Sequence, residues 1–210
     1  MISGSKTGSP ERRGPRWLLA LLLAATAWPA LALDLPSLMT MLGQRRSGEA
    51  LFHEQRFVQG IDTPLVSTGS LAFEAPDRFV RRTLKPRPET IEVEGNKVTL
   101  SRAGRSRSFS LDAAPEMIAV VESVRATLSG DGATLRRHFN AETSGSAERW
   151  TLLLTPLESR LGAQVKTIRI SGRRGDLASI EMELPGGDRS LMTIEPLRAA
   201  AAASAGVSKP

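Results

Sequence analysis

Two histidines and no cysteine leave this 210-residue chain few side chains able to do covalent or metal chemistry. His53 stands in a segment of alternating polar and apolar residues, and His138 follows Arg136 and Arg137. Neither belongs to a His-x-His or Glu-x-x-His pair, the spacings that turn two ligands toward one metal. No Gly-x-Ser-x-Gly elbow occurs to raise a serine nucleophile. Metal, cofactor and catalytic residues are therefore not expected, and ordinary strand or loop positions account for both histidines. The chemistry that remains is electrostatic. Arg78, Arg81, Arg82, Lys85 and Arg87 are the densest run of charge. Arg81, Arg82 and Lys85 could form a basic rim for an anionic head group or acidic partner, although a solvated strand face explains the same residues. Pro86 and Pro88 suit a sheet edge or strand exit.

The N-terminus reads as an export signal. Lys6, Arg12, Arg13 and Arg16 precede a run from Trp17 to Trp28 that is apolar except for Thr26. Ala30-Leu31-Ala32 then supplies small residues on either side of one position, and cleavage is expected after Ala32. The run is too short for a transmembrane helix, which needs about 20 residues. The mature protein is thus expected in the periplasm. Residues 1–32 hold four basic residues and one acidic residue, so removing them lowers the net charge from +6 to +3. With half the excess gone and export removing the usual partner, nucleic-acid binding is not expected. The absence of cysteine leaves the core to packing alone, without disulfides or a lipidated N-terminus.

The elements that would position the charges alternate between two periods. Leu35, Leu38, Met39 and Leu42 recur at helical spacing, with Asp34 as N-cap and Gly43 as stop. From Ala50 to Leu111 the period is two, through "EALFHEQRFVQ", "STGSLAFEAPDRF" and a hairpin turning at Glu94-Gly95-Asn96. A second helix follows, with Asp112 as a possible cap, Pro115 in its first turn and Gly130 beyond its end. Met117, Val120, Val121, Val124 and Leu128 make its apolar stripe. Strands resume after Gly132. "RWTLLLTPL" is apolar on both faces and is expected at the centre of a sheet, and Ala178, Ile180, Met182 and Leu184 form one face of a later strand. The chain is expected to divide into a signal at 1–32, one domain at 33–198 and a disordered tail at 199–210. The fold class is α+β and mainly β, with an antiparallel sheet covered by about two to three short helices. So few helices cannot fill a wide sheet, and a cleft between the layers is expected.

The order of these elements resembles that of LolA, the periplasmic outer-membrane lipoprotein carrier family. The best local match is Gly69-x-Leu71-x-Phe73-x-x-Pro76-x-x-Phe79, supported by Phe57-x-Gln59, Glu94-Gly95-Asn96 and Trp150-x-Leu152-x-Leu154-x-Pro156. The sequence departs from the family at Ala75, where typical members place an arginine that helps hold a lid closed. It also has no tyrosine and a single mature tryptophan, which points to a divergent, LolA-related branch. The resemblance implies an incomplete antiparallel barrel closed by helices around an apolar cavity. It also implies a monomer that takes acylated cargo, a lipoprotein or a glycolipid, from an inner-membrane donor to an outer-membrane acceptor. Phe57, Leu71, Phe73, Phe79, Ile91, Val93, Met117 and Val121 are the expected lining. Two other readings stay open: a lipid- or protein-sensing module of the same fold, and a secreted hydrolase. The export reading has its own test. The intact mass of exported protein should correspond to a chain that begins at Leu33, and a retained signal would contradict it.

Overall fold

The computed structural model describes residues 33–197 and, at 115–117, the backbone alone. The expected signal and tail lie outside the described residues. Helix α1, Leu35–Gly43, starts where Asp34 accepts a hydrogen bond from the Ser37 amide at 2.8 Å, the side-chain cap that the sequence promised. Leu35, Leu38, Met39 and Leu42 are all buried.

Eleven strands form one antiparallel sheet. The first six are β1 Ser47–Phe57, β2 Leu65–Glu74, β3 Arg78–Lys85, β4 Glu89–Glu94, β5 Lys97–Arg102 and β6 Arg105–Ser110. The others are β7 Phe139–Ser146, β8 Arg149–Pro156, β9 Thr167–Arg173, β10 Asp176–Glu183 and β11 Arg189–Leu197. Their order is β6-β5-β4-β3-β2-β1-β11-β10-β9-β8-β7, so each strand pairs with a sequence neighbour except at the β1–β11 joint. The sheet does not close, and it forms an incomplete barrel covered by helices. Its two free edges, β6 and β7, are consecutive in the chain, so the segment that joins them must pass over the sheet. That segment carries a 3-10 turn at Leu111–Ala113, α2 at Pro115–Ser129 and α3 at Gly132–His138. A one-turn helix, α4 at Ser159–Gly162, follows β8. Among the described residues no helix is long and apolar enough to cross a membrane.

Several expectations need correction. α3 was read as strand. Its start is set by Asp131, which accepts from the Thr134 amide at 2.9 Å, and its short length hides any helical period. Asp112 does not cap α2. It sits in the 3-10 turn and accepts from the Asn96 side chain at 2.8 Å, while the capping position falls to Ala114. β8 is second from an edge rather than central. Its apolar character arises because Trp150, Leu152 and Leu154 lie in the main core, with Leu153 only half-buried on the other face. In β10 a register shift between Leu177 and Ser179 puts Leu177, not Ala178, in line with Ile180.

α2 packs chiefly on other helices rather than on the sheet. Ala119, Ser123, Ala126 and Thr127 are its most buried residues, none more than 2% exposed. Small side chains allow close approach, closest where Gly130 ends the helix with φ 72°. A Cβ on Gly130 would fall 2.4 Å from the Met39 carbonyl oxygen and 2.8 Å from the Gly43 Cα. Left-handed backbone and a blocked Cβ both demand glycine there. Gly130→Ala should therefore destabilise the domain by about 2 kcal/mol, lowering Tm by about 4–8 °C for a domain of this size. A thermal melt followed by circular dichroism checks it.

Candidate functional site

The packing of α2 leaves its larger apolar residues without a tight partner. Val120, Val121 and Leu128 stay half-buried, and with Val124 they face the inner side of the sheet across a cavity of about 450 Å³. Leu71 and Phe73 of β2, Phe79 of β3, and Ile91 and Val93 of β4 line the opposite wall. Ala50 of β1, Ile180 and Met182 of β10, and Met192 and Ile194 of β11 extend it. Strand alternation selects these residues. Phe73 pairs with Phe79, and Phe79 with Val93, so one face of three strands collects them. Beyond Val93, Val98 and Leu111 form a small separate core on which Ile118 and Val121 rest. The main core lies toward β8 and β9, and the cavity occupies the interval.

Six of the eight expected lining residues meet there: Leu71, Phe73, Phe79, Ile91, Val93 and Val121. Phe57 does not. It occupies an odd position of β1, on the face opposite Phe52 and Glu54, where Arg189 stacks on its ring at 4.6 Å. The Met117 side chain lies outside the described residues. The three cations expected to form a rim are not brought together. Arg81 points into the cavity, whereas Arg82 falls on the other face by the same alternation, and Arg82 and Lys85 are exposed. Neither histidine lines it. His53 is exposed on β1, and His138 ends α3 with Nδ1 2.9 Å from Glu158.

The residue that sequence reasoning missed is Glu54. Its side chain is 7% exposed, on the same face of β1 as Ala50 and Phe52. Arg81 Nη2 lies 2.5 Å from its Oε2, Ser67 donates to the same oxygen at 3.0 Å, and Ser190 donates to Oε1 at 2.6 Å. Four adjacent strands, β11, β1, β2 and β3, thus meet at one carboxylate. Gly69 makes the reach possible. A Cβ there would fall 1.9 Å from the Arg82 carbonyl oxygen and 2.8 Å from the Phe52 ring. The bare backbone lets that ring lie over β2, and the Arg81 guanidinium sits 4.7 Å from its centroid. The glycine that opens the Gly69-x-Leu71 match therefore has a steric role. Parity along β1 turns Glu54 inward with Ala50 and Glu49 outward, but nothing local shows that Arg81, Ser67 and Ser190 would converge on it.

Burial is the largest influence on Glu54 and pushes its pKa up. The Arg81 charge and the hydrogen bonds from Ser190, Arg81 and Ser67 together outweigh it, and the pKa is held below the ordinary 4.5. Glu54 therefore adds stability that is fully present above pH 4.5 and is lost as pH falls through its lowered native value. At the other end of the cavity Arg45 Nη1 stands 2.6 Å from Asp176 Oδ1, joining the residues after α1 to the β9–β10 turn. Ala75 lies in the β2–β3 turn, and its amide donates to the Arg46 carbonyl at 2.7 Å. Arg81→Met should reverse the sign at Glu54. With the counter-charge gone, burial raises its pKa, and the variant should lose about 3 kcal/mol at pH 7.5. That deficit should shrink as pH falls toward 4.5 and the carboxyl takes a proton. Urea midpoints at the two pH values decide it.

Known proteins can now be set beside this geometry. No curated protein matches the sequence. Among solved structures the chain is similar to a LolA superfamily protein from Nitrosomonas europaea, at 9% identity over 78% of this chain and 92% of that one, TM-score 0.43. It is also similar to the lipoprotein LppX from Mycobacterium tuberculosis, at 9% identity over 76% and 94%, TM-score 0.38. A chain of the Pseudomonas aeruginosa MucA/MucB complex matches at 13% identity over 81% of this chain and 59% of that one, TM-score 0.40. The sequence model of the family described as outer membrane lipoprotein carrier protein LolA-like matches residues 27–210. With most of its length inside that match, this chain belongs to the LolA-like family.

Proposed function

We propose that this protein is a periplasmic carrier that shelters acyl chains of a lipoprotein or another acylated lipid and hands them toward the outer membrane without catalysis. The observation that carries this reading is the cavity between α2 and the sheet. Its volume of about 450 Å³ lies within the roughly 300–1,000 Å³ of small-molecule sites. Most of its wall is valine, leucine, isoleucine, methionine and phenylalanine, the surface an acyl chain needs, with Glu54, Arg56 and Arg81 among the charged exceptions. Each CH₂ brought in from water contributes about 0.8 kcal/mol, so a chain is held by many small increments. Membership of a family named for lipoprotein carriage supports the same use. An exported chain, cleaved after Ala32, is the context in which such a carrier would act. A sensing module would bind the same ligand but would not pass it on.

Native mass spectrometry of protein purified gently from the cell envelope should show an added lipid mass. Transfer of that lipid to acceptor vesicles separates a carrier from a sensor. Val121→Glu tests the cavity itself. Val121 is half-buried at the cavity wall, so water can reach a carboxylate there and the domain should stay folded. Uptake of a fluorescent acyl ester should fall at least tenfold, because the wall is no longer apolar. Unfolding of the variant would mean that the helix is ordinary core. Parent-like binding in folded protein would refute the site.

A further inference from the structure

An ion pair on the wall of an apolar cavity calls for an explanation of its own. Glu54 and Arg81 both line the space that Leu71, Phe79 and Ile91 make apolar. A guanidinium carries five N–H donors in a planar fork. Here Nη2 alone makes hydrogen bonds, to Glu54 at 2.5 Å and to Ser67 at 3.3 Å. Nε is sealed from solvent and bonds to nothing. An arginine that only neutralised Glu54 would leave the other donors in water or satisfied by protein. This one leaves Nη1 neither bonded nor sealed, on a side chain that is 25% exposed and lines the space proposed for the acyl chain, while Nε is out of a ligand's reach. Its charge, in contrast, is already spent on Glu54.

We propose that Arg81 is the polar-group recognition residue of the cavity, and that the neutral pair it makes with Glu54 selects acyl chains bearing an uncharged acceptor, an ester or amide carbonyl, over free fatty-acid anions. The inference rests on the acyl-chain reading of the cavity and adds to it which end group is accepted. A carbonyl oxygen takes a free guanidinium donor and brings no charge. A carboxylate brings a second negative charge beside the Glu54 oxygens, in a space where apolar walls strengthen the repulsion. Ser67 and Ser190 both spend their hydroxyl protons on Glu54, so neither offers the anion compensation. Arg56 lies two positions beyond Glu54 on the same face, also at the cavity wall. It makes no ion pair among the described residues and is the group that could oppose this selectivity.

The experiment uses the exported, full mature protein and displacement of the uncharged dye Nile red by three probes of equal chain length. These are methyl laurate, N-methyl lauramide and laurate, each at pH 8 below its aggregation limit. The ester and the amide should bind at least tenfold more tightly than laurate. Glu54→Gln removes the negative charge and leaves Arg81 uncompensated, so the ratio of ester to laurate affinity should fall at least tenfold. Should that variant not fold, Glu54→Gln combined with Arg81→Met removes the guanidinium donor along with both charges, and methyl laurate affinity should fall at least tenfold. Circular dichroism verifies folding in each case. Laurate binding as tightly as methyl laurate to the parent, a ratio unchanged in folded Glu54→Gln, or parent-like methyl laurate affinity in the folded double variant would overturn the inference while leaving an acyl-binding cavity in place. Failure of all three probes to displace the dye would instead remove the cavity reading on which it rests.

Discussion

A carboxylate held almost out of water on the inner face of a sheet must be neutralised, and Glu54 is satisfied from three other strands at once. Ser190 reaches it from β11, Ser67 from β2 and Arg81 from β3. The arrangement spans the β1–β11 pairing, the one joint of the sheet that no hairpin sets. Partners at that joint lie 136 residues apart in the case of Ser190 and Glu54. A slip of one residue in either strand would turn every side chain to the other face. It would also strand a charge in an apolar space, at a cost of several kcal/mol. The pair thus penalises the wrong register, while the ladder of β1 and β11 supplies the hydrogen bonds of the right one. Gly69 and Phe52 enter as supports, one by having no side chain and the other by filling the room that leaves.

The cavity follows from a different constraint, the choice of face by which α2 is held. A helix that buried its valines on the sheet would close the space. Instead alanine, serine and threonine form its tightly packed side, and backbone contact with α1 at Gly43 and Gly130 fixes its distance. Val120, Val121 and Leu128 are left looking across a gap. The helix wall and the sheet wall are therefore positioned by separate sets of contacts. They meet again at the small Val93, Val98 and Leu111 core, where Val121 touches down.

Much of this was legible in the sequence. Period-two alternation located most of the strands and the helical stripe that holds Val121, and the family resemblance supplied the expectation that Leu71, Phe73, Phe79, Ile91 and Val93 share a cavity with it. What failed has physical causes. Phe57 was placed in the cavity for its size and its motif, although parity along β1 from Ala50 puts it outside. Arg81, Arg82 and Lys85 are grouped as a possible rim by charge alone, although alternation parts Arg81, on the face of Phe79, from Arg82, on the face of Val80, and only Arg81 lines the cavity. α3 is seven residues long, too short for a 3.6-residue period to show, and it was anchored by an Asp131 cap that resembles a turn. Glu54 could not be found at all. Its burial depends on Ser190 and Arg81, which reach it only once strands distant in sequence have paired, and no local pattern records that.

The size of the cavity bears on why the space exists. In a sealed apolar void the penalty is about 24 cal/mol per Å³. For about 450 Å³ that is an upper figure of about 11 kcal/mol, comparable with the whole stability of an ordinary domain, about 5–15 kcal/mol. Opening to water lowers the figure by exchanging a void for poorly hydrated apolar wall, which still forgoes the gain of burial. Filling the gap would need little change in sequence, since larger side chains at Ala50 or Val120 point directly into it. A fold that leaves α2 standing off from its sheet on small residues, and places an ion pair on the facing cavity wall, forgoes stability in one particular place. An apolar guest restores it, at about 0.8 kcal/mol for each CH₂ removed from water. Such a gain would be spread over many weak contacts and lost step by step, so under the proposed function a surface that stabilised a guest would also permit its release.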